Sequence, residues 1–202
     1  MLLSINSQNP QPRLVHKAVE ALRGGGVIIY PTDTVYGLGC DLFNKKGIER
    51  IYEIKHLGKK DQMSFICADL KDISRYALVS DYAYKMMRRL LPGPYTFILE
   101  ATRLVPKIIL PKKKSTGIRV PDNRICLAIV AELGHPIVST SIKTQQGEYM
   151  NNPQEIHEKF RNFVDLVVDG GILASVPSSV ISLVDDRVEL IRIGKGDVSA
   201  FQ

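Results

Sequence analysis

Little in this chain points to a staple, a leader or a membrane. Cysteine is scarce: Cys40, Cys67 and Cys126 are three in number and far apart. An odd set without paired spacing gives neither a disulfide framework nor a zinc site, so a reduced, cytoplasmic setting is expected. Long apolar runs are missing too. The longest within a helical segment, Ile125 to Ala131, falls far short of the roughly 18 residues needed to span a bilayer. The opening stretch MLLSINSQNPQPR has no basic region followed by an apolar one, so no secretion signal is expected. No repeat, low-complexity tract or linker-like stretch breaks the 202 residues, and one domain over 1–202 is the expectation.

The common catalytic signatures are missing as well. There is no GxSxG and no HExxH, and His16, His56, His135 and His157 show no ligand spacing, so surface or satisfied histidines are expected. Gly24-Gly25-Gly26 precedes an apolar run and has no Lys-Ser/Thr after it. It reads as a helix stop rather than a phosphate loop or a dinucleotide fingerprint. No aromatic RNA-recognition motif or helix-turn-helix pattern occurs, so any nucleic-acid contact would go to backbone and shape rather than base edges.

What is present is an ordinary globular composition, 45% hydrophobic and 24% charged, with a net charge of +6 and a pI near 9.2. The excess of cations favours an anionic partner. Lys55, Lys59 and Lys60 follow one helical pattern, Lys85, Arg88 and Arg89 lie on another, and Lys112-Lys113-Lys114 precede a strand. Each run alone fits a solvated face; together they fit a phosphate-rich partner.

Periodicity places the elements. PQPRLVHKAVEALRGGG reads as a helix, with Leu14, Ala18, Ala21 and Leu22 on one face. Further helices are expected at KKGIERIYEIKHL, at SDYAYKMMRRLL with Ser80 as N-cap and Pro92-Gly93 as stop, at NRICLAIVAELG, and at NPQEIHEKF. Strands are expected at 27–30, near 35–40, at MSFICAD, YTFILEAT, STGIRV and PIVSTS, and at 165–169, 178–184 and 188–192. Several strands follow each other directly, so a mixed sheet with helices on its faces fits better than a strict βαβ winding.

Between the first two strands lies YPTDTVYGLGCD, residues 30–41, with hydroxyls and a carboxylate at Thr32, Asp33 and Thr34 and glycines at 37 and 39. Pro31 fixes the exit from the strand, and the glycines permit another backbone or a ligand to come close. Asp33 is expected to organise the loop by bonding backbone amides. Ser139-Thr140-Ser141 forms the one dense hydroxyl cluster that ends an apolar strand. Arg119 and Arg192 are isolated guanidiniums within apolar strands, TGIRVPDN and ELIRIGKG. Such a charge is costly unless paired or aimed into a polar cavity, so each is either an edge-strand ion pair or a clamp for carboxylate or phosphate.

YPTDTVYGLGCD, PGPYTFILEAT, STGIRVPDN, PIVSTS, SSVISL and IRIGKGD, in this order over roughly residues 10–198, resemble the YrdC family, and most closely its YciO branch. The resemblance implies an α+β fold: a three-layer α/β/α sandwich around a mixed, twisted sheet of about seven strands, with a concave basic surface. It implies one of two functions. One is binding of double-stranded RNA or tRNA on the basic face beside a nucleotide or anion pocket. The other is synthesis of threonylcarbamoyl-AMP from L-threonine, bicarbonate and ATP with Mg2+, for threonylcarbamoyladenosine in tRNA. By motif position, Thr32, Thr34, Arg119 and Ser179 would face an amino-acid pocket. Lys55, Ser115, Ser139, Ser141 and Arg192 would face a nucleotide such as ATP or AMP.

Three positions depart from the synthase pattern. Its Lys-x-Arg is Lys55-His56-Leu57 here, Asp61 stands where an Asn is usual, and its Ser-x-Asn is Ser141-Ile142-Lys143. A lost charge-assisted contact is worth on the order of 1.5–3 kcal/mol, or roughly 10- to 150-fold in affinity. Lys143, Lys59 and Lys60 can return charge, but as flexible point charges without the fork of Arg.

Overall fold

The computed structural model describes residues 1–56, 63–111 and 114–201. Lys59, Lys60, Asp61 and Leu57, together with Lys112 and Lys113, lie outside the described residues.

The first expected helix forms as α1 (Pro12–Arg23), with proline in its first turn, where no N–H partner is needed. The glycine triplet ends it: the amide of Gly26 turns back to the carbonyl of Ala21, and Gly25 takes a φ of 83°. α2 (Lys45–Lys55) is capped by Asn44, whose side chain accepts from the amide of Gly47. Ser80 caps α4 (Asp81–Leu90), and Asn123 and the left-handed Gly134 bound α5 (Arg124–Leu133). α6 spans Pro153–Phe160. The short α3 (Leu70–Tyr76) was not expected. Asp69, assigned by the sequence pattern to the end of a strand, instead accepts from the amide of Asp72 and starts this helix.

The strands are β1 (Leu2–Ser4), β2 (Ile28–Tyr30), β3 (Gly37–Asp41), β4 (Ser64–Ile66), β5 (Tyr95–Glu100), β6 (Ser115–Arg119), β7 (Ile137–Ser141), β8 (Leu166–Asp169), β9 (Ser179–Ser182) and β10 (Glu189–Arg192). They form one ten-stranded sheet in the order β1-β8-β2-β3-β7-β4-β6-β5-β9-β10. The pairing is mixed: β8 runs parallel to β1 and β2, whereas β3 runs antiparallel to β2 and β7. The expected α+β class holds, and the strand count is corrected from about seven to ten among the described residues. Short edge pairings account for much of the excess: β1 is three residues laid beside β8, and β10 folds back on β9.

Alternation along the strands builds two apolar layers. Ile28, Tyr30, Ile66, Ile137, Leu166 and Val168 face α1 and α5. Ile29, Leu38, Phe65, Phe97, Val138, Val167 and Ile181 face the other way, against α2, α3, α4 and α6. The layer under α1 and α5 draws its buried strand residues from β1, β2, β4, β7 and β8, and none from β5, β6, β9 or β10. The polar residues described next lie on that uncovered stretch and on the parts of β4 and β7 beside it.

Candidate functional site

Strand parity places the site. On the face that α1 and α5 leave open, the cavity wall includes Ser64 of β4, Thr96 of β5, Gly117 and Arg119 of β6, Ser139 and Ser141 of β7, and Val180 and Arg192 of β9 and β10. Thr32 of the loop after β2 and Ser178 just before β9 complete the polar wall. The cavity encloses about 200 Å3.

At one end, the loop 31–36 is folded on its own hydroxyls. Thr32 Oγ1 donates to the carbonyl of Val35 at 2.6 Å and accepts from the amide of Thr34 at 3.1 Å. The Asp33 carboxylate accepts from Arg119 Nη2 at 2.7 Å and from the amide of Asp122 at 3.2 Å. Arg119 Nη2 also donates to Thr34 Oγ1 at 3.0 Å. Asp33 therefore bonds a backbone amide as expected and, in addition, pairs with a guanidinium. Of the two readings of Arg119, an ion pair is present, but β6 lies between β4 and β5 rather than at an edge. The pair leaves something over: Arg119 Nε is buried with no hydrogen-bond partner among the described residues.

Tyr30 forms the support beneath β7. Its hydroxyl donates to Ser139 Oγ at 2.7 Å, and burial pushes its pKa far above the ordinary phenol value, so it stays a donor. Gly39 makes room for this ring, since a Cβ there would stand 2.9 Å from it, whereas Gly37 lies against the ring and also lines the cavity. At the other end of the cavity, Arg192 Nε and Nη2 donate to the carbonyl of Ser178, at 3.1 and 2.9 Å. Arg192 is exposed on the outermost strand, so the edge reading holds for its strand but not the ion pair, since its partners are neutral.

Of the residues singled out from sequence, Thr32, Arg119, Ser139, Ser141 and Arg192 come together in one wall. Thr34, Lys55, Ser115 and Ser179 stand outside it. Thr34 is fully buried with its hydroxyl turned to Arg119 and Thr32. Ser179 points to the opposite face, where its Oγ donates to the carbonyl of Gly196 and accepts from the amide of Gly194. Its neighbour Ser178 takes the place in the wall, and one position of strand parity separates the two. Ser115 begins β6, half-buried. Lys55 ends α2, half-buried; burial lowers its pKa, and Lys143 and Lys159 lower it further. Lys143 Nζ sits 4.5 Å from the centre of the Tyr149 ring. Sequence reasoning missed Ser178 and Thr96, and the only signal for the first was its place beside Ser179.

Among the described residues, no three His, Cys, Asp or Glu side chains converge. The wall offers hydroxyls and guanidiniums rather than carboxylates, so a magnesium ion here would be carried on a ligand's phosphate oxygens rather than caged by protein. No helix among the described residues is long and apolar enough to cross a membrane.

Residues 20–194 match the Sua5/YciO/YrdC family, described as telomere recombination, and the chain belongs to that family. It is 42% identical over 199 residues to the uncharacterized protein YciO of Escherichia coli K12, covering 98% of this chain and 97% of that one. It is 33% identical over 200 residues to a putative threonylcarbamoyl-AMP synthase of Methanocaldococcus jannaschii, covering 96% and 92%. The crystal structure of E. coli YciO superposes with a TM-score of 0.96 at 41% identity, over 100% of this chain and 99% of that one. Sua5 of P. abyssi, crystallised with L-threonine, shares the fold: the TM-score is 0.90 at 24% identity, over 96% of this chain and 57% of that one.

Proposed function

We propose that the open half of the sheet binds a small carboxylate and a nucleotide, of the kind represented by L-threonine and by ATP or AMP. A cationic surface takes structured RNA, either double-stranded RNA or tRNA. Arg119 carries the small-molecule part of this reading. Its guanidinium is buried, held by Asp33 and Thr34, and its Nε has no acceptor among the described residues. A buried donor without a partner costs on the order of 1–3 kcal/mol, and a carboxylate or phosphate oxygen would relieve that cost. The cavity of about 200 Å3 is smaller than the roughly 300–1,000 Å3 of a typical ligand pocket. It therefore fits a group the size of an amino acid, with a nucleotide extending along the strands past Ser139 and Ser141. The putative synthase among the relatives supports the same ligand classes.

The RNA part rests on the net charge of +6 and on exposed cations such as Lys85 and Arg88 of α4. Binding of this kind is dominated by phosphates and falls steeply with salt. Titration of labelled duplex RNA and tRNA between about 50 and 200 mM salt tests it. A flat salt response, or affinity no greater than that of an unrelated basic protein, would remove this part.

A second reading is catalytic. The gathering of Thr32, Arg119, Ser139, Ser141 and Arg192 in one wall favours it, because a carboxylate and a phosphate chain would be held side by side. In that reaction an oxygen of the threonine carbamate bonds to the α-phosphorus of ATP, and the bond to the leaving pyrophosphate breaks. Cations on the phosphates and donors on the oxygens suffice, and no side-chain nucleophile is needed. Leu57 and Lys143 set its rate below that of an enzyme with the Lys-x-Arg and Ser-x-Asn pairs. Pyrophosphate release that requires both threonine and bicarbonate would establish it; none at high protein concentration would leave only the binding function.

A further inference from the structure

Two guanidiniums line the cavity, and their partners differ in charge. Arg119 is neutralised by Asp33 at 2.7 Å. Arg192 has no carboxylate partner among the described residues; both its acceptors belong to Ser178. Nε and Nη2 donate to the Ser178 carbonyl, and Nη2 also reaches Ser178 Oγ at 3.2 Å. Among the described residues Nη1 makes no hydrogen bond within the protein. Arg192 lies on the outermost strand at a register shift between Leu190 and Arg192, where a long side chain would ordinarily sample many rotamers. Ser178 does not: it is buried, and its hydroxyl shares a 2.7 Å hydrogen bond with Thr96 Oγ1, which is buried as well.

We infer that Ser178, backed by Thr96, is a positioning residue that holds the Arg192 guanidinium at the cavity by neutral acceptors and leaves its positive charge for an anionic ligand. A carboxylate in place of Ser178 would hold the side chain equally well and cancel the charge the ligand needs. Neutral acceptors fix direction without that cancellation, and the Nη1 edge stays open for a phosphate oxygen. The arrangement divides the work between the arginines: Arg119 braces the loop with its charge already paired, while Arg192 offers net charge. The ligand class is a phosphate-bearing one, and this inference rests on the nucleotide reading given above.

The test uses the full chain, with ATP and adenosine as ligands and Ser178→Ala, Ser178→Thr, Thr96→Val, Arg192→Ala and Ser178→Ala/Arg192→Ala as variants. Ser178→Ala, which removes the Oγ contact and keeps the carbonyl, is expected to weaken ATP about threefold, with adenosine unchanged and Ser178→Thr restoring most of the loss. In the Arg192→Ala background the same serine change is expected to add almost nothing, because its effect runs through the arginine. Equal losses with and without Arg192, or equal losses for ATP and adenosine, would overturn the inference. A readout without ligand separates it from the nucleotide reading. The Nε–H signal of Arg192 in 15N NMR should be protected from exchange in the unaltered protein, since its acceptor is the carbonyl of Ser178, and the Nη2 hydrogens, which also reach Ser178 Oγ, should exchange faster in Ser178→Ala than in Ser178→Thr. If the unaltered protein fails to bind ATP, the nucleotide reading falls, and the assignment of Arg192 as a charge for phosphate falls with it. A protected Nε–H would then leave the restraint by Ser178 standing alone, and an unprotected one would remove that too.

Discussion

Asp33 and Arg119, 86 positions apart in the chain, meet at 2.7 Å, both buried to more than nine-tenths of their side chains. The pair joins the loop after β2 to the middle of the sheet, so the shape of the cavity depends on it. Breaking a buried ion pair by removing one partner costs about 3–5 kcal/mol, because the charge left behind has neither water nor a counter-charge. Asp33→Ala is therefore expected to lower unfolding stability by about that amount in urea melts. The double change Asp33→Leu/Arg119→Leu should cost less than the sum of the two single changes. Strict additivity would mean that the pair is not coupled.

Gly39 cannot carry a side chain at its place in β3. A Cβ there would stand 2.6 Å from both Ile137 Cγ2 and the carbonyl of Val138. Since one of these is backbone, relief requires the β3–β7 pairing to shift. Gly39→Ala is expected to destabilise by about 1–3 kcal/mol, the usual cost of overpacking. Thermal unfolding checks this, and an unchanged melting temperature would contradict the packing described.

Cys40, Cys67 and Cys126 are all fully buried. Burial pushes the Cys40 thiol up to about 12 and raises the other two as well, so thiolate is scarce at neutral pH. A thiol reagent at pH 8 should label none of the three in the folded protein and all three in denaturant. Fast labelling in the folded state would show an opening that this packing does not allow.

Lys55 titrates in a direction that stability measurements can follow. Burial, then Lys143 and Lys159, lowers it below the usual 10.5. The unfolded chain thus keeps this proton at pH values where the folded chain has released it, and the contribution of Lys55 to stability rises with pH through that window. Lys55→Met should be the more stable protein near pH 7, with the gain shrinking as the pH climbs toward 10.5. Urea midpoints for both proteins across pH 7–10 give the comparison, and a constant difference would contradict the lowered value.

Much of this fold was legible because its elements carry strong local signals. The amphipathic face of α1 with its glycine stop, the serine cap of α4 and the Asn and Gly bounds of α5 all fall where expected. β1 was not legible, since three residues are too few to show alternation and its order comes from pairing with β8. α3 hid behind the apolar run of β4 because seven residues bury only Ile73 and Tyr76. In the site, motif order singled out Thr32, Arg119, Ser139, Ser141 and Arg192, which the fold gathers in one wall. Asp33 as the partner of Arg119 could not be read, because the sheet order that unites them is a long-range property. Nor could the choice of Ser178 over Ser179, since local pattern does not say which of two neighbouring serines faces which layer.

The most direct test of the binding site is calorimetric titration of ATP into the unaltered protein and into Arg192→Ala. We predict saturable binding of one ATP per chain, weakened at least tenfold in Arg192→Ala. No binding by the unaltered protein, or equal binding by both, would contradict the assignment of this cavity.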